Sequence, residues 1–159
     1  MTPRGIRNNN PLNIRRGRTK WQGEETLTNP PKEEGPGKAY DPLFCQFDTM
    51  RNGWRAAFLL LKKYINVYQL DSVAKIIGRW APANENNTRR YIETVCRLTK
   101  SGPGEAVTFG NQAQMVQIAA AMCCVENGMQ FSPLRKPETL RIMYSGYKDA
   151  LDSPQFAGK

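Results

Sequence analysis

From residue 48 onward the apolar positions fall into helical steps. Trp54, Ala57, Phe58, Leu61, Ile65 and Tyr68 lie three or four residues apart, the spacing that lines one face of a helix. Asp48 or Thr49 can cap its start. A second helix is predicted over residues 72–80, with Asp71 as its cap and Pro82 as its stop. A third begins near Asn87, capped by Asn87 or Thr88, and carries Tyr91, Ile92, Val95 and Leu98. Ser101-Gly102-Pro103-Gly104 then breaks the chain. A fourth helix over residues 111–126 places Met115, Ile118, Ala119, Met122 and Val125 on one face and stops at Asn127-Gly128. A fifth runs from Pro137 to about residue 151, and the tail after Ser153 is expected to fray.

Residues 1–48 carry a different pattern. They hold most of the prolines, and Asn8-Asn9-Asn10-Pro11, Asn29-Pro30-Pro31 and Gly35-Pro36-Gly37 read as turns. Two short extended pieces are expected near residues 12–15 and 43–47, where apolar side chains sit among turn residues. The predicted architecture is mainly α: one domain over residues 1–159, with a loop-rich lobe (1–48) bearing at most a short β-sheet and a helical part (49–152) of about five helices. A chain of 159 residues can enclose one real core. Its longest apolar run, residues 56–61, is followed by Lys62 and Lys63 and falls far short of the roughly 20 residues that span a bilayer. The first residues are Arg- and Asn-rich with no apolar stretch. The expectation is therefore synthesis in the cytoplasm without a signal peptide, and association with a virion or delivery to the cell wall by another route.

Composition narrows the chemistry. The chain has no histidine, which removes Ser-His-Asp and Cys-His catalysis and histidine metal sites. Cys45, Cys96, Cys123 and Cys124 are not spaced as zinc ligands, and Cys123-Cys124 in an apolar stretch reads as a pair of buried thiols. No cofactor or metal is expected, so carboxylates, Lys, Tyr, Cys or the backbone must do any chemistry. The formal net charge is +9. Arg4, Arg7, Arg15, Arg16, Arg18 and Lys20 all precede the first acid, Glu24. Such a balance favours polyanionic partners, either anionic cell wall or nucleic acid. The basic arm lacks interleaved aromatics and any recognised nucleic-acid motif, which makes nucleic acid the weaker candidate.

Three blocks carry candidate chemistry. In Gly5-Ile6-Arg7-Asn8-Asn9-Asn10-Pro11-Leu12-Asn13-Ile14-Arg15, followed by Trp21-Gln22-Gly23, the Asn amides offer the donors and acceptors that sugar hydroxyls and N-acetyl groups require, and Trp21 can stack on a sugar face. On spacing alone, an Asn-rich turn with a core Trp serves as well. In Trp80-Ala81-Pro82-Ala83-Asn84-Glu85-Asn86-Asn87-Thr88, leading to Tyr91, Glu85 either complements a helix dipole or supplies a second carboxylate. In Cys123-Cys124-Val125-Glu126-Asn127-Gly128, Glu126 sits at the helix end that disfavours an acid. The dipole, together with apolar neighbours such as Met122 and Phe131, raises its pKa. A carboxyl kept protonated near neutral pH is what a glycosidic leaving oxygen needs as its donor. The plainer alternative is a surface Glu at a frayed helix end.

Together the three blocks resemble a family of phage and prophage virion structural proteins that share a GIRNNNPxNIR start, a W-x-G, a WAPPxEN-x-T-x-x-Y block and a late ENG. Ala83 is the one departure. More distantly, Asn10 to Arg15 with Trp21-Gln22-Gly23 resembles the glucosaminidases of the lysozyme superfamily. Thr88-Arg89-Arg90-Tyr91-Ile92-Glu93-Thr94-Val95 is similar to a late helix of lytic transglycosylases. The resemblance implies a lysozyme-like fold acting on peptidoglycan or a related glycan, with virion or mobile-element partners. It implies Glu126 as general acid and base, with Glu85, Glu24 or Glu25 as a second carboxylate if the enzyme is a hydrolase. It also implies glycan contacts from Asn8, Asn9, Asn10, Asn13, Arg15, Trp21, Asn86, Tyr91 and Asn127. Only nine residues precede Asn10, too few for a catalytic helix. The implied order is thus circularly permuted, and Glu126 is expected beside residues 8–15. Two other readings stay open: a non-enzymatic phage or mobile-element structural protein that binds cell-wall glycan, and a nucleic-acid-binding module.

Overall fold

A computed structural model describes residues 2–27, 41–82 and 84–158, with the side chains of Glu85 and Asn86 outside the described set. The elements run α1 (Arg4–Arg7), α2 (Met50–Asn66), α3 (Val73–Trp80), α4 (Glu85–Thr99), α5 (Gln112–Asn127), a 3-10 turn (Ser132–Arg135) and α6 (Pro137–Asp152). The architecture is mainly α. Among the described residues the extended pieces of the first lobe form only two isolated antiparallel bridges, Arg15 with Phe44 and Glu24 with Phe47. The turns predicted at 29–31 and 35–37 lie outside the described residues.

Local chemistry sets the helix ends, with some shifts from expectation. Thr49 caps α2 by accepting from the Asn52 amide, and Asn111 caps α5 by accepting from Gln114. Ser72, not Asp71, caps α3, because its hydroxyl reaches the Lys75 amide while Asp71 turns outward to Lys75 Nζ at 3.1 Å. Asn84, not Asn87 or Thr88, caps α4, so that helix starts two residues earlier than its apolar pattern indicates. Gly128, at φ 60°, ends α5 where the sequence places its stop. The short α1 and the 3-10 turn have no periodic signature and were not anticipated.

α5 is the central helix. Met115, Val116 and every residue from Ile118 to Cys124 are buried, so it is covered on more than the single face its pattern predicts. α2 packs along α6 through Trp54, Phe58 and Tyr147, the last two in an edge-on ring contact at 5.4 Å. Arg51 grips Asp149 with two hydrogen bonds at 2.7 and 2.9 Å across the same interface. The buried Lys62 donates to the carbonyls of Ala150 and Ser153 and so satisfies the end of α6. The segment after Ser153 is not free: Asn66 Nδ2 donates to Phe156 O at 3.0 Å and folds the tail back on α2.

The loop-rich lobe is assembled by buried polar groups as much as by apolar ones. Asn10 Nδ2 donates to the carbonyls of Ile14 and Cys45, and its Oδ1 accepts from the Ile14 amide. Arg16 donates to Asp41 O, Glu25 O and Gln46 Oε1. These bonds bring Leu12, Ile14, Trp21 and Phe47 into one core with the helices. The lobe is seated by two glycines. A Cβ on Gly53 would lie 1.8 Å from Asn9 O, and one on Gly5 would lie 2.3 Å from Asn127 Oδ1, so neither contact tolerates a side chain.

Candidate active site

Glu126 occupies the last turn of α5. Its Oε2 accepts from the Tyr91 hydroxyl at 3.0 Å and from Trp80 Nε1 at 3.3 Å. The sequence between these two donors explains their convergence. Trp80 ends α3, and Pro82 prevents that helix from continuing. Asn84 then caps α4 through the Asn87 amide. The Thr88 hydroxyl braces the corner against the carbonyls of Ala81 and Asn84. The corner fixed in this way turns the indole and the phenol onto one carboxylate oxygen.

The first block of the chain closes the other side. Asn13 Nδ2 donates to the backbone carbonyl of Glu126 at 3.0 Å, and Asn127 Nδ2 donates to Pro11 O at 2.8 Å. Residues 113 apart in sequence therefore share one site. Glu126 lies beside the 8–15 segment, as the order of the motifs implies.

Burial pushes the Glu126 carboxyl above its ordinary pKa. Hydrogen bonds from Tyr91 and Trp80, the nearby Asn13 amide and the charge of Arg4 pull it back, without cancelling the burial. Phe131 lines a separate groove with Gly128 and Met129. Tyr91 is raised well above its ordinary value by its own burial and by Glu126, so it stays protonated and acts as a fixed donor.

A cleft of about 470 Å³ opens on Glu126. Asn13, Trp21, Tyr64 and Trp80 line it, together with Arg4, Arg15 and Arg18. Glu126 is the sole acid lining it among the described residues. The lining thus combines aromatic walls, one Asn amide, one buried carboxyl and three arginines. Among the described residues no three Cys, Asp or Glu side chains are grouped to hold a metal ion.

The chain is 37% identical to Protein P5 of Pseudoalteromonas phage PM2 over 128 residues, which cover 79% of this chain and 71% of that phage protein. The chain belongs to the phage Protein P5 family. No family model matches it.

In this P5-family chain the sequence-predicted site residues divide. Asn13, Arg15, Trp21 and Glu126 line the cleft. Asn8 and Asn10 do not: both are fully buried, Asn8 bound to Asp41 and Gln46 and Asn10 to the turn it closes, so neither amide can reach a ligand. Asn9 donates to Phe47 O and Asn127 to Pro11 O and Cys123 O, which spends their donors inside the fold. Tyr91 is buried and holds Glu126, acting on the carboxyl and not on a ligand in the cleft. Glu24 is tied to Arg16 and Lys20 with its side chain 2% exposed, and neither it nor Glu25 lines the cleft. Glu85 and Asn86 open α4, but their side chains lie outside the described residues. Residue reasoning missed Trp80, Tyr64, Arg4 and Arg18. Trp80 had a signal, since a Trp placed just before a Pro-broken corner with Tyr91 nearly two turns into the next helix marks a shared anchor. Tyr64 had none, because it shares its helix face with ordinary core positions.

Proposed function

We propose that this chain cleaves the glycan strand of peptidoglycan with Glu126 as its general acid, on a lysozyme-like and circularly permuted arrangement of the site. The observation that carries the reading is a buried carboxyl that lines a cleft, raised in pKa, with Oε2 pinned by Tyr91 and Trp80. Protonated Glu126 gives its proton to the glycosidic oxygen as the C1–O bond breaks. The carboxylate left behind takes a proton from the hydroxyl that attacks C1. No second acid lines the cleft among the described residues. One carboxyl suffices where the substrate's own hydroxyl attacks, the lytic transglycosylase route, whereas a hydrolase uses two.

The test is clearing of a suspension of purified sacculi. Glu126→Gln is expected to slow clearing about 10²–10⁴-fold while the fold is retained. Products closed internally, without new reducing ends, mark the transglycosylase route, and new reducing ends mark hydrolysis. Unchanged clearing by Glu126→Gln refutes the assignment.

Membership in a phage protein family supports a second reading: a virion component that binds cell-wall glycan without cutting it. Co-sedimentation of the wild-type chain with sacculi and no product release would establish that reading in place of the first. In both readings the protein acts where a phage meets the cell wall.

A further inference from the structure

We propose that the cleft selects a carboxylate-bearing glycan through a guanidinium rim of Arg4, Arg15 and Arg18, a refinement that rests on the glycan-cleavage reading. All three side chains line the cleft, and all three residues are exposed. Among the described residues none of the three guanidinium groups makes a hydrogen bond or an ion pair. Other guanidinium groups of the chain are tied down within the fold. Arg16 donates to Asp41 O, Glu25 O, Gln46 Oε1 and Glu24, and Arg51 donates to Asp149.

The rim is also pre-arranged. The guanidinium carbon of Arg4 lies 3.7 Å, and that of Arg15 4.9 Å, from the centroid of the buried Phe44 ring. Stacking restrains both groups without consuming an N–H donor, so less rotamer freedom remains to be lost when an anion is gripped. A neutral amino-sugar polymer offers such donors no charged partner. A glycan that carries lactyl or stem-peptide carboxylates presents them at regular intervals along its strand, and paired N–H groups of arginine match a carboxylate in shape and charge. A nucleic-acid backbone fits less well, because the three arginines line a cleft together with Glu126 in place of an open basic track.

Binding is separated from cleavage by using the full chain carrying Glu126→Gln. Its co-sedimentation is measured with native sacculi, with sacculi whose carboxyls have been amidated with ethanolamine, and with chitin. Native sacculi are expected to bind at least about tenfold tighter than the other two. Adding Arg4→Gln, Arg15→Gln and Arg18→Gln is expected to erase that preference. Arg97→Gln, Lys100→Gln and Arg141→Gln, which remove equal charge from exposed residues outside the cleft lining, are expected to keep it. Should the triple rim variant fail to fold by circular dichroism, Arg18→Gln alone, which stacks on no ring among the described residues, is expected to reduce the preference severalfold.

A preference that survives the rim substitutions, or that falls equally with the distal set, overturns the proposal. Duplex DNA that competes for the rim as well as native sacculi do also overturns it, in favour of a phosphate-binding surface. Wild-type cleavage of sacculi with no carboxylate preference sinks the rim proposal and leaves the cleavage reading standing. A preference without any cleavage does the reverse.

Discussion

Replacing Gly5 with alanine is expected to unseat the first lobe from the end of α5. The added Cβ would lie 2.3 Å from Asn127 Oδ1, 2.7 Å from Asn10 O and 2.9 Å from Asn13 Oδ1. Carbon–oxygen contacts settle at about 3.3–3.6 Å, so these oxygens must retreat by roughly 0.4–1.3 Å. Two of them belong to the amides whose nitrogens hold Glu126 O, Pro11 O and Cys123 O. Overpacking at such a site costs about 1–3 kcal/mol, and a buried acceptor left without its donor costs a similar amount. Partial relaxation of the short α1 brings the expected total to about 2–4 kcal/mol, a fall in Tm of roughly 5–15 °C for a chain of this size. Urea unfolding followed by tryptophan fluorescence measures it. Gly17→Ala is the control, because nothing lies within 4 Å of its would-be Cβ. That variant is expected to be neutral or more stable by about 0.4–1 kcal/mol. Gly5→Ala within about 0.5 kcal/mol of wild type would refute the docking of the lobe through these contacts.

Other outcomes follow from the buried ionisable groups. Because the folded pKa of Glu126 is raised, its contribution to stability is full at acid pH and is lost as pH rises through that value. Glu126→Gln is therefore expected to match wild type near pH 4 and to exceed it in Tm at neutral pH; a variant less stable than wild type at neutral pH would contradict this. Lys62→Met leaves the Ala150 and Ser153 carbonyls without their donor and is expected to cost about 1–3 kcal/mol in urea unfolding. Burial lowers the Lys62 pKa, so wild-type stability gains as pH rises from the folded value toward the ordinary lysine value, and Lys62→Met is expected to lack that alkaline gain. The thiols of Cys45 and Cys123 are pushed up to about 12, and that of Cys124 to about 11, by burial. A thiol titration at pH 8 is expected to find one slow equivalent, the half-buried Cys96, in the native protein and four after denaturation.

The helices were legible because their signals are local. Apolar steps along residues 54–68 and 115–125, and stops such as Asn127-Gly128, act within a few residues and need no knowledge of the rest of the chain. Caps were less legible where several candidates stand together. Asp71 and Ser72, or Asn84 and Asn87, all carry an acceptor oxygen, and only the path of the chain decides which one meets the third amide of the helix. The Asn-rich block shows the same limit more sharply. An amide that can bind a sugar can equally bind a carbonyl, and burial chose the second for Asn8 and Asn10 while leaving Asn13 at the cleft.

By itself the sequence determined a mainly helical chain without histidine chemistry, and an acid standing where helix electrostatics disfavour one. It made Glu126 conspicuous without saying what surrounds it. The tertiary structure decided that: α3 and α4 deliver Trp80 and Tyr91 from 46 and 35 residues away, and the first lobe delivers Asn13 from 113 away. The pKa of a carboxyl depends on the dielectric and the donors within a few ångströms, and those neighbours exist only once distant segments have packed.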